Sequence, residues 1–149
     1  MNGEGEASRL LARDHDELDS EWAQILATPA TQREVRRERF CGFRDGLLAH
    51  IALEEELLFP RLGAADPQAR ALVARLLEEH RGIQEVLGRL EEDLATDGTH
   101  LEALGAALVD VLWEHNAREE GEAYPWFDEH LSTEEILSIR ARLAPHAPP

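Results

Sequence analysis

A repeat of 65 positions narrows what this chain can become more than any other feature: His15, His50, Glu54 and Pro60 return as His80, His115, Glu119 and Pro125. Four histidines and two glutamates in register demand a fold with two equivalent halves, and the helix signals supply one. Ser8 can open a first helix that runs through Trp22 to about Ala27, where Pro29 stops it. Thr31 with Glu34 three residues on has the form of a capping box, which predicts a second helix from about Gln32 to Leu62, ended by Gly63. Asp66 before Pro67 is an N-cap followed by proline at the first helical position, so a third helix runs from there to about Ala95, before the turn at Asp97 and Gly98. Thr99 with Glu102 opens a fourth helix to about His130, and Ser132 with Glu135 a short fifth through Leu143.

Short connections between long amphipathic helices favour antiparallel neighbours. The expected fold is all-α, an up-down-up-down antiparallel four-helix bundle over about residues 8–130, with a short C-terminal fifth helix over about 133–143 and a frayed tail at 144–149. One domain, 1–149, accommodates all of it. In the third helix Val73, His80, Ile83, Leu87, Leu90 and Leu94 make a heptad-like core stripe, so His80 belongs to the interior. His15 lies between Leu11 and Leu18, His50 between Leu47 and Leu53, and His115 follows Val111 and Leu112. All four imidazoles are expected to face inward.

Burying them without partners would be costly. An unsatisfied buried polar side chain costs about 1 to 3 kcal/mol, and an unpaired carboxylate more. Each HxxxE pair spans one helical turn, so imidazole and carboxylate project from one face. A single HxxxE means little, and a lone core histidine is more often hydrogen-bonded than ligating. Six such residues in register, drawn from four helices, point to metal. The nitrogen and oxygen donor set suits iron, manganese or zinc. The internal symmetry suggests one ion on His15 and His50, another on His80 and His115, and Glu54 and Glu119 bridging both, with positions left open for an oxo or hydroxo group and a small molecule. His100, His130 and His146 fall at helix ends or in the tail and read as solvent-exposed. Cys41 reads as packing or surface, and Trp22 and Trp126 as fillers of the core or bundle end.

Composition removes other classes of function. A formal charge of −16, with arginine as the only basic residue type, repels phosphate backbones and excludes nucleic acid as a partner. One cysteine forms no internal disulfide and no thiolate cluster. No apolar run is long enough for a membrane span, and the opening residues lack a signal core, so no membrane partner and a cytoplasmic setting are expected.

The order His15, His50-x-x-x-Glu54, His80, His115-x-x-x-Glu119, with Leu58 to Pro60 and Tyr124 to Trp126 following the two pairs, resembles the hemerythrin HHE cation-binding domain over about His15 to Leu131. The resemblance implies that the six residues ligate two iron ions joined by an oxo or hydroxo bridge, with manganese or zinc as lesser alternatives. A ferritin-like site would need ExxH pairs, and the residues three before the core histidines are Ala12, Leu47, Leu77 and Leu112. Oxygen-carrying hemerythrins have a fifth histidine as an HxxxH pair on the third helix, and an aspartate one residue after the position of Glu119. Here the third helix has Gln84 and Leu76 four positions to either side of His80. A less filled, more symmetric site favours small oxidants, hydrogen peroxide or dioxygen, in a catalase-like cycle or other redox protection, over reversible carriage. The catalytic machinery would then be the metal centre alone. Reversible binding or sensing of O2 or NO, and iron sensing through a protein partner, are the alternatives; the electron donor and oligomeric state are open.

The metal-bound imidazoles would need oxygen acceptors for their second N–H. Gln84, Glu122, Asp19 and Glu85 are the candidates. Arg118 and Glu122, which stand where the first half has Leu53 and Leu57, are expected to pair with each other one turn apart. Tyr124, the counterpart of Phe59, lies away from His115 by helical phase and is expected to pack rather than to enter the site.

Overall fold

The computed structural model describes residues 5–143. Those residues form helices α1 (Glu6–Ala27), α2 (Arg33–Leu53), α3 (Phe59–Gly63), α4 (Pro67–Ala95), α5 (Leu101–Arg118), α6 (Tyr124–His130) and α7 (Thr133–Leu143), and no strand is present among them. Between α2 and α3, and again between α5 and α6, the helix continues as a π-helical turn, Glu54–Leu58 and Glu119–Ala123. The two long helices expected over 32–62 and about 99–130 are therefore each interrupted, at positions 65 residues apart. Proline explains both breaks. Pro60 and Pro125 have no N–H for the ordinary i−4 bond and their rings crowd that carbonyl, so the turn ahead of each widens. The amides of Phe59 and Tyr124 accordingly reach back five residues, to the carbonyls of Glu54 and Glu119.

The helix starts obey local chemistry unevenly. Asp66 caps α4 by accepting from the Ala69 amide at 2.7 Å, with Pro67 at the first position. Ser132 and Glu135 form a reciprocal box at α7, each side chain accepting from the other's amide at 3.1 and 2.9 Å. The boxes expected at Thr31/Glu34 and Thr99/Glu102 do not form: the N-cap residues of α2 and α5 are Gln32 and His100, and neither side chain caps its helix. At α5 the Thr99 amide that the box would use is taken by the Asp97 side chain at 3.2 Å, and the Asp93 carboxylate accepts from the His100 amide at 3.1 Å. The turn before it needs Gly98, whose φ of 69° suits glycine. Helix α1 begins two residues before Ser8, and its first amides are taken by Asp128 of α6, which accepts from the Ser8 amide at 2.9 Å.

Two apolar clusters fill the interior. One joins Leu18, Trp22 and Ile25 of α1 to Phe40, Phe43 and Leu47 of α2, Ile83 to Leu94 of α4, and Leu101 and Leu108 of α5. Trp22 packs so closely on Gly105 that a Cβ there would lie 2.6 Å from the indole. The other cluster joins Leu11, Leu53, Leu58, Phe59, Leu62, Leu76, Ala123, Tyr124 and Phe127, and α7 covers it with Ile139. On α1 and α4 the core histidine falls between the residues given to one cluster and those given to the other, and on α2 and α5 it lies near the helix end, where the first cluster gives way to the second around the π turns. A band of polar groups is thus sealed between two oily layers, where interactions between charges are strong. No helix of the described residues is long and apolar enough to cross a membrane.

Candidate metal centre

All six residues picked out by the repeat meet in that band. His15 comes from α1, His50 and Glu54 from the end of α2 and its π turn, His80 from α4, and His115 and Glu119 from the end of α5 and its π turn. None is more than 4% exposed. Glu54 places Oε2 at 3.2 Å from His50 Nε2 and Oε1 at 3.1 Å from His80 Nε2. Glu119 places Oε1 at 3.3 Å from His15 Nε2 and Oε2 at 3.1 Å from His115 Nε2. Each carboxylate thus spans the same two ends. Donor atoms of His15, His50, Glu54 and Glu119 lie within 4.8 Å of one another, as do those of Glu54, His80, His115 and Glu119. Ring centroids are 4.7 Å apart in both histidine pairs.

Every Nδ1 has a carboxylate behind it. His15 is held by Glu120 at 2.8 Å, His50 by Asp14 at 2.7 Å, His80 by Glu55 at 2.7 Å and His115 by Glu79 at 2.8 Å. These differ from the acceptors expected. Gln84 and Glu85 sit on the exposed face of α4, where Glu85 pairs with Arg89, and Glu122 is exposed on α5's π turn. Asp19 is exposed on α1; burial beside its neighbours raises its pKa, but it makes no hydrogen bond to a ring. The repeat itself could have found the true set. Asp14 and Glu79 are 65 apart and each precedes a core histidine; Glu55 and Glu120 are 65 apart and each follows a cage glutamate. Searching each histidine's own helix missed them, because every Nδ1 partner comes from a different helical segment.

Arg118 departs from expectation too. It lies 4.0 Å from Glu122 but 2.5 Å from Glu79 Oε2, so its partner is the carboxylate behind His115. Tyr124 requires the larger correction. Its ring is fully buried, and its hydroxyl lies 2.7 Å from Glu54 Oε2, 2.8 Å from Glu119 Oε1, 3.1 Å from His15 Nε2 and 3.2 Å from His50 Nε2. Helical phase at 3.6 residues per turn had placed it elsewhere. A π turn brings residues five apart into line, so Tyr124 sits over Glu119 and Phe59 over Glu54. Phe59, with no hydroxyl to offer, stacks on His80 at 5.3 Å between centroids.

The electrostatics follow from this alternation of rings and acids. Burial by itself would lower the pKa of each imidazole, but the carboxylates outweigh it: Glu119 and Glu120 raise His15, Glu54 and Asp14 raise His50 well above its usual range, and Glu119 and Glu54 bring His80 to about 10. His115 is raised likewise by Glu119. Burial opposes ionisation of Glu119, yet His115, His15 and His80 hold its pKa well below the usual carboxylate range. Burial and the two carboxylates push the Tyr124 phenol up. Protons are what balances this charge when no other cation does.

The donor chemistry fits a metal. Glu119 Oε2 is buried without a hydrogen bond, since His115 Nε2 is in ion-pair range but outside hydrogen-bonding geometry. With neutral imidazoles, the form in which histidine ligates, Glu54 and Glu119 would be two sealed carboxylates lacking a counter-charge. Cations among the Nε2 and carboxylate atoms would remove both faults, and the Nδ1 acceptors would fix each ring's orientation. A groove of about 460 Å³ between α1 and α5 reaches the His15 end, lined by His15, Asp16, Asp19, Trp22, Trp113 and Glu120 among others.

Comparison with known proteins agrees with this chemistry. The family model described as the hemerythrin HHE cation binding domain matches residues 6–127, which include all six cage residues and their four acidic partners. No curated protein and no solved structure matched the chain.

Proposed function

Because this chain belongs to the hemerythrin HHE cation-binding family, we propose that it holds two iron ions, one on His15 and His50 and one on His80 and His115, bridged by Glu54 and Glu119, and that it disposes of hydrogen peroxide. Its four long helical arms form an up-down-up-down bundle in this reading, acting as one domain in a cytoplasmic setting. The observation that carries the proposal is the span of the two glutamates: each sets one oxygen beside a histidine of either end, about 3 Å away.

Two adjoining redox ions held by His15, His50, His80, His115, Glu54 and Glu119 would supply a two-electron couple, enough to balance the oxidation of one peroxide to O2 and two protons against the reduction of a second, with two protons, to two waters. The protein's part is to orient, insulate and manage those protons. Asp14, Glu55, Glu79 and Glu120 fix the rings through Nδ1. The apolar layers keep bulk water from the cage except along the groove between α1 and α5 that reaches His15. The Tyr124 hydroxyl can give its single proton to Glu54 or to Glu119, which makes it the local donor on the His15 side. That α4 has no histidine besides His80 supports turnover over storage, since Leu76 is buried in the apolar cluster and Gln84 is exposed. The test is metal analysis of the aerobically purified protein, followed by oxygen evolution from peroxide. Two irons per chain and evolution lost in a helical His115→Ala variant are expected. A stable, reversible oxygen adduct without peroxide turnover would reject the enzymatic reading.

A further inference from the structure

The two ends of the cage are alike in the atoms that face a cation and unlike in what stands behind them. At the His15 and His50 end, Asp14 is 3% exposed, and among the described residues no arginine pairs with it or with Glu120. Asp14 therefore brings its whole negative charge to His50, while Glu120, 43% exposed, is screened by water much as Glu55 is behind His80 at 37%. At the other end, Glu79 behind His115 shares its charge with Arg118 at 2.5 Å and with Arg75 at 3.8 Å. A hydrogen bond to a fully charged acceptor makes an imidazole a stronger donor to metal. Two further differences point the same way. A hydroxyl oxygen, that of Tyr124, lies within 3.2 Å of both Nε2 atoms of the first end, where the second end meets the bare ring of Phe59. The groove between α1 and α5, which carries Asp16, Asp19 and Glu120, opens on the first end.

We propose that the cage fills in a fixed order, a first divalent ion at His15 and His50 and a second at His80 and His115, with Arg118 weakening the later position by drawing charge from Glu79. This rests on the two-ion reading above. Asp14 and Arg118 are positioning residues in it, acting through His50 and through Glu79.

The experiment is an anaerobic titration of the metal-free full chain with ferrous ion, followed by calorimetry and by the near-ultraviolet signal of Tyr124, the only tyrosine. Repulsion between two ions would split the steps even in a symmetric cage, so the location of the first ion decides the matter. The first equivalent should account for most of the Tyr124 change, and anomalous diffraction at one equivalent should show density beside His15 and His50. Asp14→Asn should weaken the first step about 10- to 100-fold, the usual effect of losing such a partner, and spare the second. Arg118→Leu should tighten the second step and draw the two together. Should Asp14→Asn misfold, the Arg118 variant and the diffraction result still decide. A first ion at His80 and His115, equal filling of both ends, or an Arg118→Leu variant that leaves the second step unchanged would overturn the order while leaving the two-ion site intact. Failure of the folded wild-type chain to bind ferrous ion at all would defeat the two-ion reading itself.

Discussion

The two halves of the cage agree at five positions and disagree at two that matter. The six candidate ligands and the four acids behind the rings all recur at the same interval, and so do the π turns and their prolines. Against this, Leu53 and Phe59 of the first half face Arg118 and Tyr124 of the second. The agreement describes what any such cage needs: donors, and acceptors that orient them. The disagreement gives the two ends different electrostatics, and it is there that this chain acquires individual behaviour.

The comparison breaks most completely at the residues shared by both ends. Glu119→Gln should remove metal from the two positions together, because its oxygens serve one histidine of each; elemental analysis that found one ion fully retained would contradict the bridging role. Chelation comes next. With free metal at about 100 times the dissociation constant, ligand binding contributes about 2.7 kcal/mol. Removing it should lower the melting temperature by roughly 5 to 10 °C, as followed by circular dichroism. Tyr124→Phe makes the second half like the first. In the metal-free protein it deletes a donor to two buried carboxylates and should cost about 1.5 to 3 kcal/mol in chemical denaturation.

The metal-free chain should also respond to pH. His80 is raised from 6.5 to about 10 on folding, so its contribution is complete below 6.5 and is lost as pH climbs toward 10. The raised His15, His50 and His115 act in the same direction. Glu119 is lowered, so its contribution is present above 4.5 and is lost as pH falls below that value. Thermal melts should therefore peak between these limits and decline toward alkaline pH; a melting temperature that rose steadily from pH 6.5 to 9 would refute the alternation of protonated rings and acids. Arg118→Leu, which restores the first half's residue, should change global stability least, by about 1 kcal/mol for a partly exposed pair.

Much of this was legible in the chain itself. The helices, the inward histidines and the six cage residues followed from one repeat and from apolar spacing, because a buried stripe leaves a period that survives without coordinates. The Thr99 box failed because capping is a local competition, in which Asp97 takes the Thr99 amide and Asp93 that of His100, while α2 starts with no side-chain cap at all. Tyr124 was misplaced for a different reason: phase counting assumes an uninterrupted helix, and Pro125 had already signalled the break. The acids at Nδ1 escaped because they answer to rings on other helical segments: packing of α1 on α2 and of α4 on α5 brings Asp14 to His50 and Glu79 to His115, and the two π turns bring Glu120 to His15 and Glu55 to His80.

Chain length inside the two widened turns is as constrained as any side chain. Each carries one residue more than a regular helix would spend over the same rise, and deleting it would rotate everything downstream by about 100°. In the second stretch that rotation would carry Tyr124 away from the carboxylates and turn Phe127 out of the sealed layer, although no cage residue had been altered. Sequences that drift freely in composition across 54–58 and 119–123 should therefore still keep their count.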